Sequence, residues 1–335
     1  MEMRRNLSKF VCLGLLIGLI LFFSFTKTAE AKIILLNQNI KLSAGHTVFW
    51  QFTFKKGDNL VLNISANGGI NVYVRDAFGG TWYLGNDTPY VRSRFIVPHN
   101  GIYRLYIDNS HSFITDKYVH VIAYYISVQE LGQFLRYLSS KMQGYLHKLS
   151  NYNSNINLPQ LVYRNCGEAN AYYMPVTNTI TICNELVWRV IDFEMLQDIN
   201  NWEKRAVNVL AFTLFHELGH ALIHLCRLPV LGKEEDAADA LATLAAIEFD
   251  PEMAYEGAVA FLTILNSRIP IYWDSHSPSE ERFYNILCWL YGSNPRVFFF
   301  IGRVYPELTS RHCEYEYQQL NNSWKQLLRK CGFRF

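Results

Sequence analysis

His216, Glu217 and His220 are the residues of this 335-residue chain whose types and spacing could do chemistry. On a helix of 3.6 residues per turn, positions four apart share a face, so the two imidazoles can reach one point. Two nitrogen donors at one point are half of a metal site. Glu217 follows the first histidine by one residue, which swings its carboxylate to the side where a metal-held water would sit. The H-E-x-x-H spacing therefore supplies two ligands and a proton acceptor for metal-assisted hydrolysis. A catalytic zinc site takes three protein ligands and keeps a fourth position open, so a further His, Asp or Glu is required. Glu234-Glu235-Asp236-Ala237-Ala238-Asp239 offers candidates, opening a second helical run after the break at Pro229-Val230-Leu231-Gly232. His224 continues the histidine spacing by one more turn, but a straight helix does not bring three successive turns to one ion.

The wider pattern carries a family resemblance. Glu235-x-x-Ala238-Asp239 resembles the E-x-x-A-D signature of gluzincin peptidases, in which the glutamate is the third zinc ligand and the aspartate four residues later holds a ligand histidine. Glu234 and Asp236 do not reproduce that separation. Ser275-His276-Ser277-Pro278-Ser279-Glu280-Glu281-Arg282 resembles the H-P-S-T-E-E-R segment of HtpX-like and CAAX-prenyl endopeptidases, with histidine and arginine at the same separation and Pro278 one place later. The run from Cys166 to Cys331 resembles more closely a family of bacterial metallopeptidases of undescribed substrate, through CGEANAYY, HELGHALI, LPVLGKEEDAADALA and DSHSPSEERFYNILCWLYG. It covers about the last half of the chain and leaves out the first 150 residues. The resemblance implies Zn2+ held by His216, His220 and Glu235, with Glu217 as general base and Asp239 behind a ligand imidazole. It also implies His276 as a second donor to the developing oxyanion and Arg282 as partner of one of the carboxylates. A plain structural salt bridge is the alternative for Arg282. A metzincin is excluded, because the glycine and third histidine it needs after His220 are absent.

These residues need elements to hold them. The apolar run Val207 to Leu228 predicts one helix, and Leu241 to Glu248, Glu252 to Leu265, Ser279 to Tyr291 and Gln318 to Lys330 show helical spacing between prolines. Leu161 to Cys183 reads as strand, irregular turn and strand. One of these strands is expected to edge the cleft and accept an extended peptide. Gln129 to Leu149 repeats apolar residues at three and four, an amphipathic helix expected to pack on the catalytic part. From Ile33 to Ser127 short alternating runs are split by turn residues, including Val48 to Phe54, Leu60 to Ile64, Ile70 to Val74, Arg92 to Val97, Tyr103 to Ile107 and Tyr118 to Ile126. That pattern predicts a β-sandwich or jelly roll, and 95–110 resembles GOLD-like and pre-peptidase sandwich domains. The fold class expected is α+β: an N-terminal β-sandwich, then a mainly helical zincin-like metallopeptidase domain with a small sheet. The expected divisions are a signal peptide (1–31), a β-sandwich accessory domain (32–127), a connecting helix (128–150) and the zinc metallopeptidase domain (151–335).

Composition bounds the partners. A formal charge of +2 with no long basic block gives no reason to expect nucleic acid. With 21 Tyr and 22 Phe, many aromatic residues must lie in cores or interfaces. Arg4, Arg5 and Lys9, the apolar run Val11 to Phe25 and Ala29-Glu30-Ala31 read as an export signal cleaved before Lys32, so the mature protein is expected in the periplasm or secreted. A membrane association follows only if that segment stays uncleaved. Cleavage removes Cys12 and leaves six cysteines in an oxidising compartment. Cys166–Cys183 is the first expected pair, Cys288–Cys313 the second, and Cys226 is left open as a buried thiol on the zinc helix. A peptide or protein substrate is implied, with an unknown partner for the sandwich. An exported binding protein with an idle zincin scaffold, and a disulfide-framed interaction protein without metal, are the rival readings.

Overall fold

The computed structural model describes residues 33–153, 155–198, 200–264 and 279–334, so the expected export segment and His276 lie outside the described residues. The first half is antiparallel β: β1 (Ile33–Leu42), β2 (Thr47–Phe54), β3 (Asn59–Asp76), β4 (Thr81–Ile96), β5 (Gly101–Asp108) and β6 (Lys117–Ile126). They form a six-stranded sheet in the order β1-β6-β3-β5-β2, with β4 also on β3. Where two strands were expected, at 60–64 and 70–74, β3 runs through without a turn. Its register against β4 shifts between Ser65 and Ile70 and again by Tyr73, so Asn67-Gly68-Gly69 acts as an irregularity inside one bent strand. The bend lets β3 serve two neighbours in succession, β6 along 59–66 and β5 along 71–76. Alternation then buries Leu60, Leu62, Ile64, Ile70, Val72 and Val74 in a core of their own.

Helices dominate the remainder. α1 (Val128–Ser150) starts at Ser127, whose hydroxyl accepts the Glu130 N–H at 3.1 Å, and buries Leu131, Phe134, Leu138 and Met142 at the expected spacing. Then come β7 (Gln160–Arg164), β8 (Ala171–Met174), β9 (Thr179–Cys183), α2 (Asn184–Gln197), α3 (Trp202–Cys226), α4 (Glu234–Phe249), α5 (Glu252–Thr263), α6 (Ser279–Ser293), α7 (Phe299–Val304), α8 (Glu307–Ser310) and α9 (Cys313–Lys330). The fold is mixed α+β. Two elements were not anticipated: α2, and a third strand that makes the small sheet β7-β9-β8, with β7 parallel and β8 antiparallel to β9. β8 and β9 make an antiparallel hairpin between Cys166 and Cys183, and β7 joins it in parallel along β9.

Residues Lys32–Phe335 form one compact unit. Val61 of β3 and Ile126 of β6 point into the helical core, and Arg94 of β4 reaches α2, where its Nε lies 2.8 Å from Asp192 and its guanidinium 4.6 Å above the Trp188 ring. Cys166–Cys183, Cys288–Cys313 and Cys226–Cys331 are disulfides, with Cα atoms 5.5, 5.0 and 5.5 Å apart. The first two are the expected pairs. Cys226 is not a free thiol, because the turn after α9 returns Cys331 to the end of α3.

Candidate metal centre

α3 is apolar over most of its surface because helices and strands pack around it. Among the described residues it alone is long and apolar enough to cross a membrane, yet 67% of that stretch is buried inside the protein. It starts five residues before the expected run, at Trp202, and stops at Arg227, whose left-handed backbone (φ 48°) ends the helix. On its one polar face stand His216, Glu217 and His220. Next to them lies Gly219, where an added Cβ would sit 2.8 Å from the Cα of Ala238. The missing side chain lets α4 cross α3 in backbone contact, and that approach carries the first turn of α4 onto the histidines.

The crossing brings the predicted donors together. His216 Nε2 and His220 Nε2 are 3.2 Å apart, and the Glu235 carboxylate lies 3.2 Å from the first and 3.4 Å from the second. His216, His220 and Glu235 thus form a set able to hold one metal ion. Each ring is fixed from behind. His216 Nδ1 faces Asp239 Oδ1 at 2.8 Å, and Arg282 of α6 grips that carboxylate with Nε to Oδ2 at 2.6 Å and a terminal nitrogen to Oδ1 at 2.7 Å. Phe261 of α5 lies flat under the guanidinium at 3.8 Å. His220 Nδ1 faces Glu234 Oε1 at 2.7 Å. Glu234, one of the candidate ligands of the run Glu234 to Asp239, instead faces the second imidazole from behind as Asp239 faces the first.

Electrostatics follow from burial and these contacts. Burial draws the His216 imidazole down, but Asp239, Glu235 and Glu217 more than offset it and lift the group to about 9. Metal-free, the ring keeps its proton, so a metal ion entering here displaces one. Burial raises Glu235 and Asp239, yet the histidines around the one and Arg282 beside the other hold both well below the usual carboxylate range. Glu217 moves the other way. Burial raises it, against the pull of the two histidines and a hydrogen bond from the Tyr173 backbone N–H of β8. A carboxyl with raised proton affinity beside a metal position suits a group that takes up and releases a proton.

Arg282, expected as the partner of one of the carboxylates, lies behind the histidines, touching Asp239 and coming within 3.9 Å of Glu235. His224 stays outside the cluster, its Nδ1 3.2 Å from the Tyr173 hydroxyl. The Tyr173 N–H was not anticipated. No side-chain pattern announces which backbone donor a strand will aim.

Comparison with known proteins bears on this site. Residues 129–328 match a family model described as "Putative metallopeptidase", a span that includes every residue of the cluster. No curated protein matches the chain. Among solved structures, the pre-peptidase C-terminal domain of collagenase from Bacillus anthracis is similar at 18% identity, covering 26% of this chain and 89% of that one, with a TM-score of 0.21. A mutant of PliG-Ec, a periplasmic inhibitor of g-type lysozyme from Escherichia coli, is similar at 14% identity over 28% of this chain and 90% of that one, with a TM-score of 0.22. A mutant of a functionally unknown conserved protein from Bacillus anthracis str. Ames is similar at 11% identity over 76% of this chain and 64% of that one, with a TM-score of 0.24.

Proposed function

We propose, from the premise that this chain belongs to the Putative metallopeptidase family, that it is an exported zinc-dependent peptidase acting on peptide or protein substrates. The observation that carries this reading is the convergence of His216, His220 and Glu235. Tetrahedral zinc with ligand bonds of about 2.0–2.1 Å needs donor atoms about 3.3 Å apart. The two Nε2 atoms, 3.2 Å apart, fit that requirement, and the Glu235 carboxylate faces them with one oxygen each, Oε2 at 3.2 Å from His216 and Oε1 at 3.4 Å from His220. Two imidazoles and one carboxylate are also the donor set of open, catalytic zinc sites, which leave a position for water or substrate. Zinc bound there supplies Lewis-acid polarisation of a carbonyl and a water of lowered pKa.

The chain's own residues do the rest. Glu217 takes the proton of the attacking water and returns it to the leaving amine nitrogen, and the Tyr173 N–H holds its carboxylate in place. β8 stands at the edge of its sheet, so its unpaired side offers main-chain donors and acceptors to an extended peptide beside the histidines. Asp239, clamped by Arg282, and Glu234 keep the Nε2 lone pairs aimed at one point. Export rests on the basic start, apolar run and Ala29-Glu30-Ala31 at the N-terminus.

The test is to profile the purified chain against a mixed peptide library with and without a chelator, beside Glu217→Gln. Cleavage that stops on chelation, returns with zinc and is lost in Glu217→Gln while zinc stays bound is the expected result. Cleavage by Glu217→Gln at the wild-type rate removes that carboxylate from the reaction.

A further inference from the structure

The outward face of the sheet carries a second cluster of ordered side chains. β2, β5, β3 and β4 run side by side there, and their register places Phe49 opposite Tyr106, Tyr106 opposite Tyr73 and Tyr73 opposite Tyr83. The result is one straight row of four aromatic rings across four strands, a width of roughly 14 Å. The next row, two residues along, is Gln51, Arg104, Arg75 and Thr81 in the same order. Arg104 and Arg75 are thus held directly opposite one another. Like charges in that position repel, and among the described residues neither guanidinium makes an ion pair. Their fixed partners are neutral: Arg104 Nε donates to Gln51 at 3.0 Å and Arg75 Nε to Thr81 at 3.1 Å, while the guanidiniums rest near Phe49, Tyr73 and Tyr106. On the far side of the aromatic row, Asp108 is committed to Thr47, Asn71 and the Ser110 N–H, so it does not neutralise them.

Cross-strand packing alone accounts for the inner rings. Tyr73 and Tyr106 stack at 4.8 Å and 13°, face to face. It does not account for the outer ones, which tilt away by 36° and 48° and stay exposed, Phe49 at 54% and Tyr83 at 68%. Nor does it account for two opposed cations left without a counter-charge.

We propose that this face binds an acidic glycan, a polymer of sugar rings bearing carboxylates. Arg75 and Arg104 form the anion site, each able to present a guanidinium edge to a sugar carboxylate. The outer rings meet the apolar C–H faces of the sugars, and the tyrosine hydroxyls, Gln51 and Thr81 offer hydrogen bonds. A nucleic-acid strand fits less well. Bases need free ring faces to stack on, and the two central rings spend one face each on the other.

The test uses the full chain, with retention on immobilised polygalacturonate, alginate and hyaluronate measured beside methyl-esterified polygalacturonate, dextran, a single-stranded oligonucleotide and a poly-glutamate peptide. Retention by at least one acidic glycan is expected, at least tenfold weaker on the methyl ester and absent on dextran. Arg75→Gln with Arg104→Gln should weaken binding tenfold or more and Tyr83→Ala several-fold, with the melting temperature and chelator-sensitive peptidase activity unchanged. Should the double variant fold poorly, Arg75→Lys with Arg104→Lys keeps the charge and should still bind more weakly, because the planar edge is lost. No retention on any acidic glycan, equal retention on the methyl ester, or stronger retention on the oligonucleotide or the peptide overturns the proposal.

Discussion

Two arginines in the helical half, Arg282 buried and Arg205 half-buried, sit among carboxylates and come to different ends. Arg282 grips Asp239 with two bonds, and everything around it is aligned so that His216, His220 and Glu235 point into one space. Arg205 of α3 lies between Glu194 of α2 and Glu256 of α5, at 2.5 and 2.9 Å. There two acids share one cation, and nothing converges. Accordingly Asp239 is held below the usual carboxylate range by Arg282, whereas burial pushes Glu256 up to about 7 against the pull of Arg205. Buried charge alone thus does not mark a site. The mark is lone pairs left over after the ion pairs are made, aimed at a common point.

That contrast can be broken or sharpened by substitution. The largest effect is expected from Glu235→Ala: bound zinc, measured by elemental analysis, falls from about one per chain to none, while the matching change Glu256→Ala leaves it bound. Arg282→Ala comes next. It strands the Asp239 carboxylate in the interior, so urea unfolding should report a loss of about 3–5 kcal/mol, with zinc affinity down about 10–100-fold through the loosened His216 ring. Glu234→Gln affects the exposed side of the site and should cost about tenfold in zinc affinity with little change in melting temperature. Smallest is a pH effect confined to the second cluster. Because the folded state raises Glu256 from 4.5 to about 7, it favours the protonated acid. Its contribution is full below the unfolded value and is lost as pH rises through about 7. The melting temperature should therefore fall by a few degrees between about pH 5 and about pH 7, and Glu256→Gln should remove that part of the slope. An unchanged slope would show that the second cluster does not titrate as its surroundings imply.

The metal cluster was readable because it is periodic. His216, His220, Glu235 and Asp239 stand four apart on two helices, and helical geometry turns spacing into direction. The same holds for α1, whose buried Leu131, Phe134, Leu138 and Met142 follow the period. What could not be read depends on how elements meet. Asn67-Gly68-Gly69 looks like a turn, and only the shifted register against β4 makes it a bend inside β3. α2 hides between Cys183 and Trp202 because an acid, Glu194, buried against Arg205, takes a place in its apolar stripe. Glu234 gave no hint of holding His220, because the angle at which α4 crosses α3 is set by Gly219 meeting Ala238. Six cysteines allow fifteen pairings, and Cys226–Cys331 joins positions 105 residues apart that no local pattern relates.

That long-range bridge has a consequence for how the protein withstands its surroundings. It closes a ring of chain that contains Glu235, Asp239 and Arg282, while His216 and His220 lie just outside the point of closure. In the unfolded chain such a cross-link removes disorder equivalent to roughly 4–5 kcal/mol for a loop of about 100 residues. Thiol reductants should therefore act on metal retention from a distance, by letting the second half of the donor set wander from the first when the fold opens.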